Sequence, residues 1–249
     1  MSSEAYVTYD PRIPKYMPLL TKLITTSIIF MYIVEIVFNA LFSEQALILL
    51  GAKWNQGITN GEYWRFITPT FLHGNLIHLF LNLFALHLFA NELESIYGTP
   101  RFLVIFLLTS WGAILASYTF SQGLAIGASG ALFGIIGGLI TFFFRQREKI
   151  SGAHLKFKTM YTLVFINIIF GMLIPRVDNA AHIGGLITGL LLGWFISPEY
   201  TIEKDNEAGK LLVVKKIDTP RVLSGIFLVL TILFWLTKLS ISTQLANMT

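Results

Sequence analysis

The segment 127–138, GASGALFGIIGG, lies in an apolar run and contains five glycines in twelve residues. A helix with this sequence has a surface almost without side chains, which lets a second helix come into van der Waals contact in lipid. A later run contains AHIGG at 181–185 followed by Gly189, so that His182, Gly185 and Gly189 share one helical face. These two segments predict a pair of closely packed membrane helices.

The composition of the whole chain agrees with a membrane environment. Of its 249 residues, 54% are hydrophobic and 13% are charged, which is more apolar than an ordinary soluble domain. A spanning helix needs about 20 mostly apolar residues. Seven such runs occur, at about 19–42, 76–91, 102–120, 126–144, 158–174, 180–197 and 222–240. We therefore predict an all-α polytopic membrane protein with seven spanning helices and no separate soluble domain.

The distribution of basic residues predicts the orientation of the chain. The net charge is +4, but no basic run with interleaved aromatic residues indicates nucleic-acid binding. Basic residues instead cluster before the first run and between the fourth and fifth runs, at Arg12, Lys15, Arg145, Arg147, Lys149, Lys156 and Lys158. By the positive-inside rule we place the N-terminus and the charged loop 198–221 in the cytoplasm, and the C-terminus outside after seven crossings.

Polar residues inside apolar runs are the candidates for function, because each is costly in lipid unless it is paired or faces a cavity. The second, fourth and sixth runs all begin at the predicted outer face, so His78, Ser129 and His182 should lie at similar depths. A rise of about 1.5 Å per residue places them roughly 5 to 10 Å below the surface. Asn82 shares a helical face with His78. Glu35, in the first run, has no evident partner in the sequence.

A serine next to a histidine in this layer can form a nucleophile and its general base. Each feature also has a simpler interpretation. Small-residue repeats commonly serve packing, a membrane-helix serine usually bonds the carbonyl four residues earlier, and a histidine can be a structural hydrogen bonder or a proton relay. The combination in one layer favours an active site. With no cysteine in the chain, a thiol mechanism is excluded.

Several motifs together resemble the rhomboid proteases. They are GASG at 127–130, AHIGG at 181–185 with Gly189, and HxxxxHxxxN at His73, His78 and Asn82. The pair Trp64–Arg65 resembles the WR pair of that family, and Glu94, Gly98 and Arg101 resemble its junction between the second and third helices. The match is collinear from about 61 to 193. The resemblance implies a six-helix protease core over 19–197, to which this chain adds a short N-terminal tail (1–18), the charged loop (198–221) and a seventh helix with a short C-terminal tail (222–249).

The resemblance also implies roles for individual residues. Ser129 would be the nucleophile and His182 the base, as a dyad, while His78, Asn82 and the Ser129 amide would form the oxyanion hole. Asp178 lies four residues before His182, but we expect Asp178 or Asn179 to cap the sixth helix and do not take Asp178 as a third catalytic member. The supporting residues are His73, Trp64, Arg65, Gly127, Gly130, Phe133, Gly185 and Gly189. Phe133 stands where some family members carry a tyrosine, so it can pack on His182 but offers no hydroxyl.

The predicted function is that of an intramembrane serine endopeptidase that cleaves transmembrane segments near the outer face. Its partners would be transmembrane substrate proteins and membrane lipids, and we expect no metal and no cofactor. Two alternatives come from other classes. One is an inactive relative that binds membrane helices, and the other is a small transporter or channel with a His and Asn path. A fluorophosphonate probe, which labels an activated serine, distinguishes the protease from both.

Overall fold

The computed structural model describes residues 17–150, 152–174, 177–204 and 211–247. Within these ranges seven helices are long and apolar enough to cross a membrane. They are α1 (Leu19–Phe42), α2 (Leu76–Tyr97), α3 (Thr99–Phe120), α4 (Ser129–Gln146), α5 (Ala153–Leu173), α6 (Asn179–Ile196) and α7 (Thr219–Ala246). The predicted all-α polytopic membrane fold is confirmed. The predicted tail 1–18 lies outside the described residues except for Met17 and Pro18.

The helix ends depart from the apolar runs where caps or packing decide them. Helix α2 continues six residues past the predicted end at 91, because its last two turns are buried although they contain Glu94. It ends at Gly98, whose φ of 85° suits glycine. Helix α4 begins at Ser129 and not at 126, because the residues before it form a turn in which Gly127 has a φ of 113°. Apolarity therefore located the helices, whereas local backbone conformation set their ends.

Helix α4 is the centre of the molecule and packs closely on α6 through glycines. A β-carbon on Gly185 would clash with the carbonyl oxygen of Gly130, and one on Gly189 would clash with that of Gly134. These contacts are to backbone atoms, which cannot rotate away. The predicted contact between the glycine surfaces of the fourth and sixth helices is therefore present.

The opposite side of α6 packs on α3 with similar closeness. A β-carbon on Gly184 would clash with Ala116, and one on Gly112 would clash with the side chain of Thr188. Helix α7 lies against α3 and α6, where Trp111 Nε1 donates to Thr237 Oγ1 at 3.1 Å. Helix α6 is thus held between α4 and α3, with α7 as an additional layer.

Glu94 joins three helices at the end of the bundle opposite Ser129. Its fully buried carboxylate accepts from the backbone N–H groups of Leu20 (3.0 Å) and Thr21 (2.7 Å), at the start of α1. It also accepts from Thr99 Oγ1 (2.7 Å), at the start of α3. The carboxylate therefore caps the N-terminus of α1, where negative charge is favourable, and also bonds the first side chain of α3.

The loop 43–75, between α1 and α2, is built from short helical turns and is held internally by Arg65. The buried guanidinium of Arg65 donates to the carbonyls of Ile48 and Ala52, both at 2.8 Å, and pairs with Glu62. The indole of Trp64 is 57% exposed. Of the predicted pair, Arg65 makes the internal hydrogen bonds, whereas Trp64 lies at the surface.

The segment 198–221, predicted as a charged loop, contains a two-stranded antiparallel hairpin. Strand β1 (Glu199–Lys204) pairs with β2 (Leu211–Lys216), with Glu199 opposite Lys216. Residues 205–210 of the predicted loop lie outside the described part. Glu199 also pairs with Arg145 of α4 and Arg221 of α7. The hairpin was not predicted from the sequence, because each strand has only six residues and has charged residues at one or both of its ends.

Candidate active site

Ser129 and His182, which the sequence analysis paired, are brought together at the starts of α4 and α6. Ser129 is the first residue of α4, His182 is the fourth residue of α6, and Ser129 Oγ lies 2.9 Å from His182 Nε2. The Phe133 ring stacks on the imidazole, with centroids 4.3 Å apart and planes inclined by 6°. Phe133 lies one turn after Ser129 on α4, so a single helix supplies both the hydroxyl and the ring that restricts the imidazole.

Asp178 holds the start of α6 and does not contact the imidazole through a hydrogen bond. Its carboxylate accepts from the backbone N–H of Ala181 at 3.0 Å and from Ser117 Oγ of α3. His182 Nδ1 is buried and has no hydrogen-bond partner among the described residues. Of the two predicted caps, Asp178 is the residue that caps α6.

Gly127 gives the turn before Ser129 its shape. Its positive φ suits glycine, and a β-carbon there would lie 2.6 Å from Cε1 and Nε2 of His78. Its N–H donates to the carbonyl of Pro69 at 2.8 Å. The His78 ring can therefore rest on the backbone that leads into Ser129 only because this position has no side chain.

His78 and Asn82 occupy the first two turns of α2. Asn75 caps this helix by accepting from the N–H of His78 at 2.8 Å. The Asn82 side-chain amide donates to the carbonyl of His78 at 2.9 Å, and its Oδ1 is buried without a partner in the described structure. An amide nitrogen carries two N–H groups, so one donor of Asn82 remains for another acceptor. Ser129, as the first residue of α4, likewise has an N–H without an intrahelical acceptor.

His73 and Glu35 support the turn that precedes Ser129. The His73 ring is fully buried, lies 5.0 Å from the His78 ring, and accepts from the N–H of Ala128 at 3.5 Å. Burial lowers the pKa of His73 to about 3, so the ring is neutral and Nε2 keeps its lone pair. The backbone N–H of His73 donates to both carboxylate oxygens of Glu35, at 2.9 and 3.1 Å. Glu35 thus has a partner that no sequence pattern could identify, because that partner is a backbone group.

Lys53, which the sequence analysis did not single out, also contacts this region. Its fully buried ammonium donates to the carbonyls of Ser121 and Gly123, at the beginning of the turn that leads to Ser129. Within the described ranges, no group of three or more His, Asp or Glu side chains is placed to hold a metal ion. The chemistry available at the site is that of a hydroxyl, an imidazole and hydrogen-bond donors.

Comparisons with known proteins agree on one family. The family model described as Rhomboid domain matches residues 60–199. The chain is 34% identical over 174 residues to the rhomboid protease GluP of Bacillus subtilis, covering 69% of this chain and 32% of that protein. It is 35% identical over 181 residues to rhomboid-like protease 3 of Toxoplasma gondii, covering 71% and 68% respectively. With the mitochondrial RHOMBOID-like protein 6 of Arabidopsis thaliana it shares 35% over 156 residues, covering 62% and 50%.

The chain therefore spans between about one third and two thirds of the length of these relatives. The family match contains α2 to α6 and both residues of the Ser129–His182 pair, whereas α1 and α7 lie outside it.

Proposed function

The chain belongs to the rhomboid family, and from this premise we propose that it is an intramembrane serine endopeptidase that uses Ser129 and His182 as a dyad. The observation that carries the proposal is the distance of 2.9 Å between Ser129 Oγ and His182 Nε2. A serine hydroxyl is a weak nucleophile until an adjacent base accepts its proton. The stacked Phe133 ring holds the imidazole in the orientation that this transfer requires.

The reaction proceeds in two steps. Ser129 Oγ attacks the scissile carbonyl carbon while His182 Nε2 accepts the hydroxyl proton. The resulting imidazolium then donates this proton to the leaving amine, which leaves an acyl group on Ser129. In the second step His182 accepts a proton from water and the water oxygen attacks the acyl carbon. The bond from that carbon to Ser129 Oγ then breaks, and the imidazolium returns the proton to Oγ as the carboxylic acid product is released. Both steps place negative charge on the carbonyl oxygen.

We assign the stabilisation of that charge to His78, the free N–H of Asn82 and the N–H of Ser129. Removing one such donor typically lowers turnover by about 100-fold to 1000-fold. Asn82→Ala should accordingly lower kcat more than it raises KM. If KM rises while kcat stays normal, Asn82 binds substrate and is not part of an oxyanion hole.

The proposed substrates are transmembrane segments of other membrane proteins, cleaved near the outer face. Ser129 and His182 lie in the first turn of their helices, and the basic residues near 145–158 follow the other end of α4. With those residues in the cytoplasm, the N-terminus is cytoplasmic, the C-terminus is outside, and the dyad lies just below the outer surface. A helical peptide carbonyl is hydrogen-bonded, so substrates with helix-weakening residues at the cleavage site should react best.

The proposal is tested with purified protein in liposomes and a panel of model transmembrane substrates. Ser129→Ala and His182→Ala should each abolish cleavage and fluorophosphonate labelling while the protein stays folded, and the double variant should be no worse than either single one. Cleavage by Ser129→Ala would overturn the mechanism. A wild-type protein that remains unlabelled would instead point to an inactive, helix-binding relative, and solute flux through the liposomes would indicate a transporter.

A further inference from the structure

Lys53 is a fully buried lysine whose partners all lie in one place. Its Nζ donates to the carbonyl of Ser121 at 2.6 Å and to that of Gly123 at 2.9 Å. Lysine is almost never fully buried unless it is paired, because removing an ammonium from water is costly. Burial accordingly lowers the pKa of Lys53 to about 8, against the opposing effect of the Asp178 carboxylate. The position of Lys53 is therefore maintained by specific acceptors and not by apolar packing.

The first of those acceptors, the carbonyl of Ser121, belongs to the residue that follows the end of α3, where a cation is favourable. The last carbonyls of a helix have no intrahelical donors and carry the negative end of the helix dipole. Asn55, two residues after Lys53, donates from Nδ2 to the carbonyls of Tyr118 and Ser121, both at 3.2 Å. Lys53 and Asn55 thus cap α3 from the loop 43–75.

The same segment of the loop holds the rest of the turn 121–128. The N–H of Lys53 donates to the carbonyl of Ala125 at 2.9 Å, and the N–H of Ala125 returns a bond to Lys53 at 3.3 Å. Arg65 in turn fixes the carbonyl of Ala52, the residue before Lys53. Lys53 therefore forms hydrogen bonds with three alternate residues of the turn, Ser121, Gly123 and Ala125. Ser129 lies four residues after the last of them.

We propose that Lys53 is a positioning residue that sets the placement of Ser129 relative to His182 through the turn 121–128. The expected effect of Lys53 on turnover rests on the proposed protease function. Its expected effect on the turn 121–128 rests on the hydrogen-bond geometry alone. A displacement of about 1 Å between reacting groups costs on the order of 100-fold in rate. Loss of the ammonium should therefore reduce the rate of the chemical step without changing how substrate binds.

The test uses Lys53→Met, which keeps an unbranched side chain one atom shorter and removes its donors, and Lys53→Arg, which keeps charge and donors. Lys149→Met, an exposed lysine after α4, is the matched control. Active sites are counted by fluorophosphonate titration, and kcat per titrated site and KM are measured on one model substrate in liposomes. Lys53→Met should lower kcat per site by about 10-fold to 100-fold, with KM within about twofold of the wild type. Lys53→Arg should restore most of the lost kcat, and Lys149→Met should have the kcat and KM of the wild type. A merely structural role would reduce the number of titratable sites and leave kcat per site normal, which would overturn the proposal.

Amide hydrogen exchange provides a measurement that does not depend on activity. In Lys53→Met, exchange across 121–129 should accelerate by about tenfold, while exchange within α4 after its first turn should be unchanged. If the wild type neither cleaves nor is labelled, the protease function fails, and the exchange data alone decide whether Lys53 holds the turn. If Lys53→Met does not fold, Lys53→Gln should show the same increase in exchange over 121–129 and the same decrease in kcat per site, both smaller in magnitude. Unchanged exchange over 121–129 in the folded variant would overturn the proposal.

Discussion

Helices α4 and α5 are equally apolar and yet occupy different environments. The most apolar window of each has a mean hydropathy of 1.3, but 78% of that window is buried in α4 and only 17% in α5. Helix α4 contains four glycines that lie against other helices, whereas α5 contains one, near its end. In lipid, apolar side chains gain nothing by leaving the acyl chains, so close packing depends on small residues. Hydropathy thus places a helix in the membrane, and side-chain size decides which neighbours it contacts.

This difference has a consequence for the candidate site. The Ser129 hydroxyl and the Phe133 ring both belong to α4, whose backbone is in direct contact with the backbone of α6. Their positions are therefore held by backbone atoms, which cannot rotate away. No functional side chain of the site, as we describe it, comes from α5. We therefore expect a substitution to lower activity and stability more when the altered position lies closer to the backbone of another helix.

The largest effect is expected where α4 and α6 touch through glycine. Gly185→Val and Gly189→Val each add bulk against a carbonyl oxygen of α4. Each should lower the cleavage rate by about 100-fold or more, because the dyad separates, and should lower the free energy of unfolding by about 1 to 3 kcal/mol. Cleavage of a model substrate and thermal unfolding in the same detergent measure the two effects. Near-normal activity and stability in both variants would show that this contact does not set the geometry of Ser129 and His182.

At α7 we expect an effect on stability and a smaller effect on turnover. A β-carbon at Gly225 would clash with the side chain of Phe195 of α6. Gly225→Val should therefore lower the free energy of unfolding by about 1 to 3 kcal/mol. Because α7 contributes no group to the site, kcat per titrated site should stay within about twofold of the wild type. A loss of kcat as large as that in Gly185→Val would mean that packing of α7 also controls the dyad.

The stack of Phe133 on His182 should contribute less than the glycine contacts. Aromatic pairs are worth about 0.5 to 1.5 kcal/mol beyond the area they bury. Phe133→Leu should therefore lower kcat by roughly 2-fold to 10-fold, and Phe133→Tyr, which keeps the ring, should not lower it. Steady-state kinetics on one substrate give both values. Equal losses in the two variants would show that the stacked geometry is not what orients the imidazole.

The smallest effect is expected on α5, and it is best measured as a matched pair. Phe165 of α5 is 56% exposed, whereas Phe142 of α4 is fully buried. Phe165→Leu should change the free energy of unfolding by less than about 0.5 kcal/mol, and Phe142→Leu should lower it by about 1 kcal/mol. Equal destabilisation would mean that α5 is packed as closely as α4, and the contrast between the two helices would be lost.

Particular residues show how far the candidate site could be predicted. Ser129 and His182 were paired from the sequence because helical spacing and common depth limit where such residues can point, whereas the packing of Phe133 on His182 was implied by the family resemblance. A cap at Asp178 or Asn179 was predicted because a position before a helix is a local property. Lys53 and Glu35 could not be assigned, since their partners are the backbone groups of Ser121, Gly123 and His73, which every residue type shares. The hairpin between α6 and α7 was missed for a related reason, because backbone pairing between two short, charged strands leaves little trace in side-chain pattern.

The sequence by itself determined that the chain lies in a membrane, that seven segments are long and apolar enough to cross it, and that two of those segments have surfaces almost without side chains. These are properties of composition and of spacing within about twenty residues, and lipid makes them decisive because an unpaired backbone cannot face it. Only the tertiary structure decided which helices are enclosed, where they end, and which buried charges hold the turn before Ser129. Those outcomes depend on contacts between atoms far apart in the chain, many of them backbone carbonyls and N–H groups. Their positions exist only after the helices have packed.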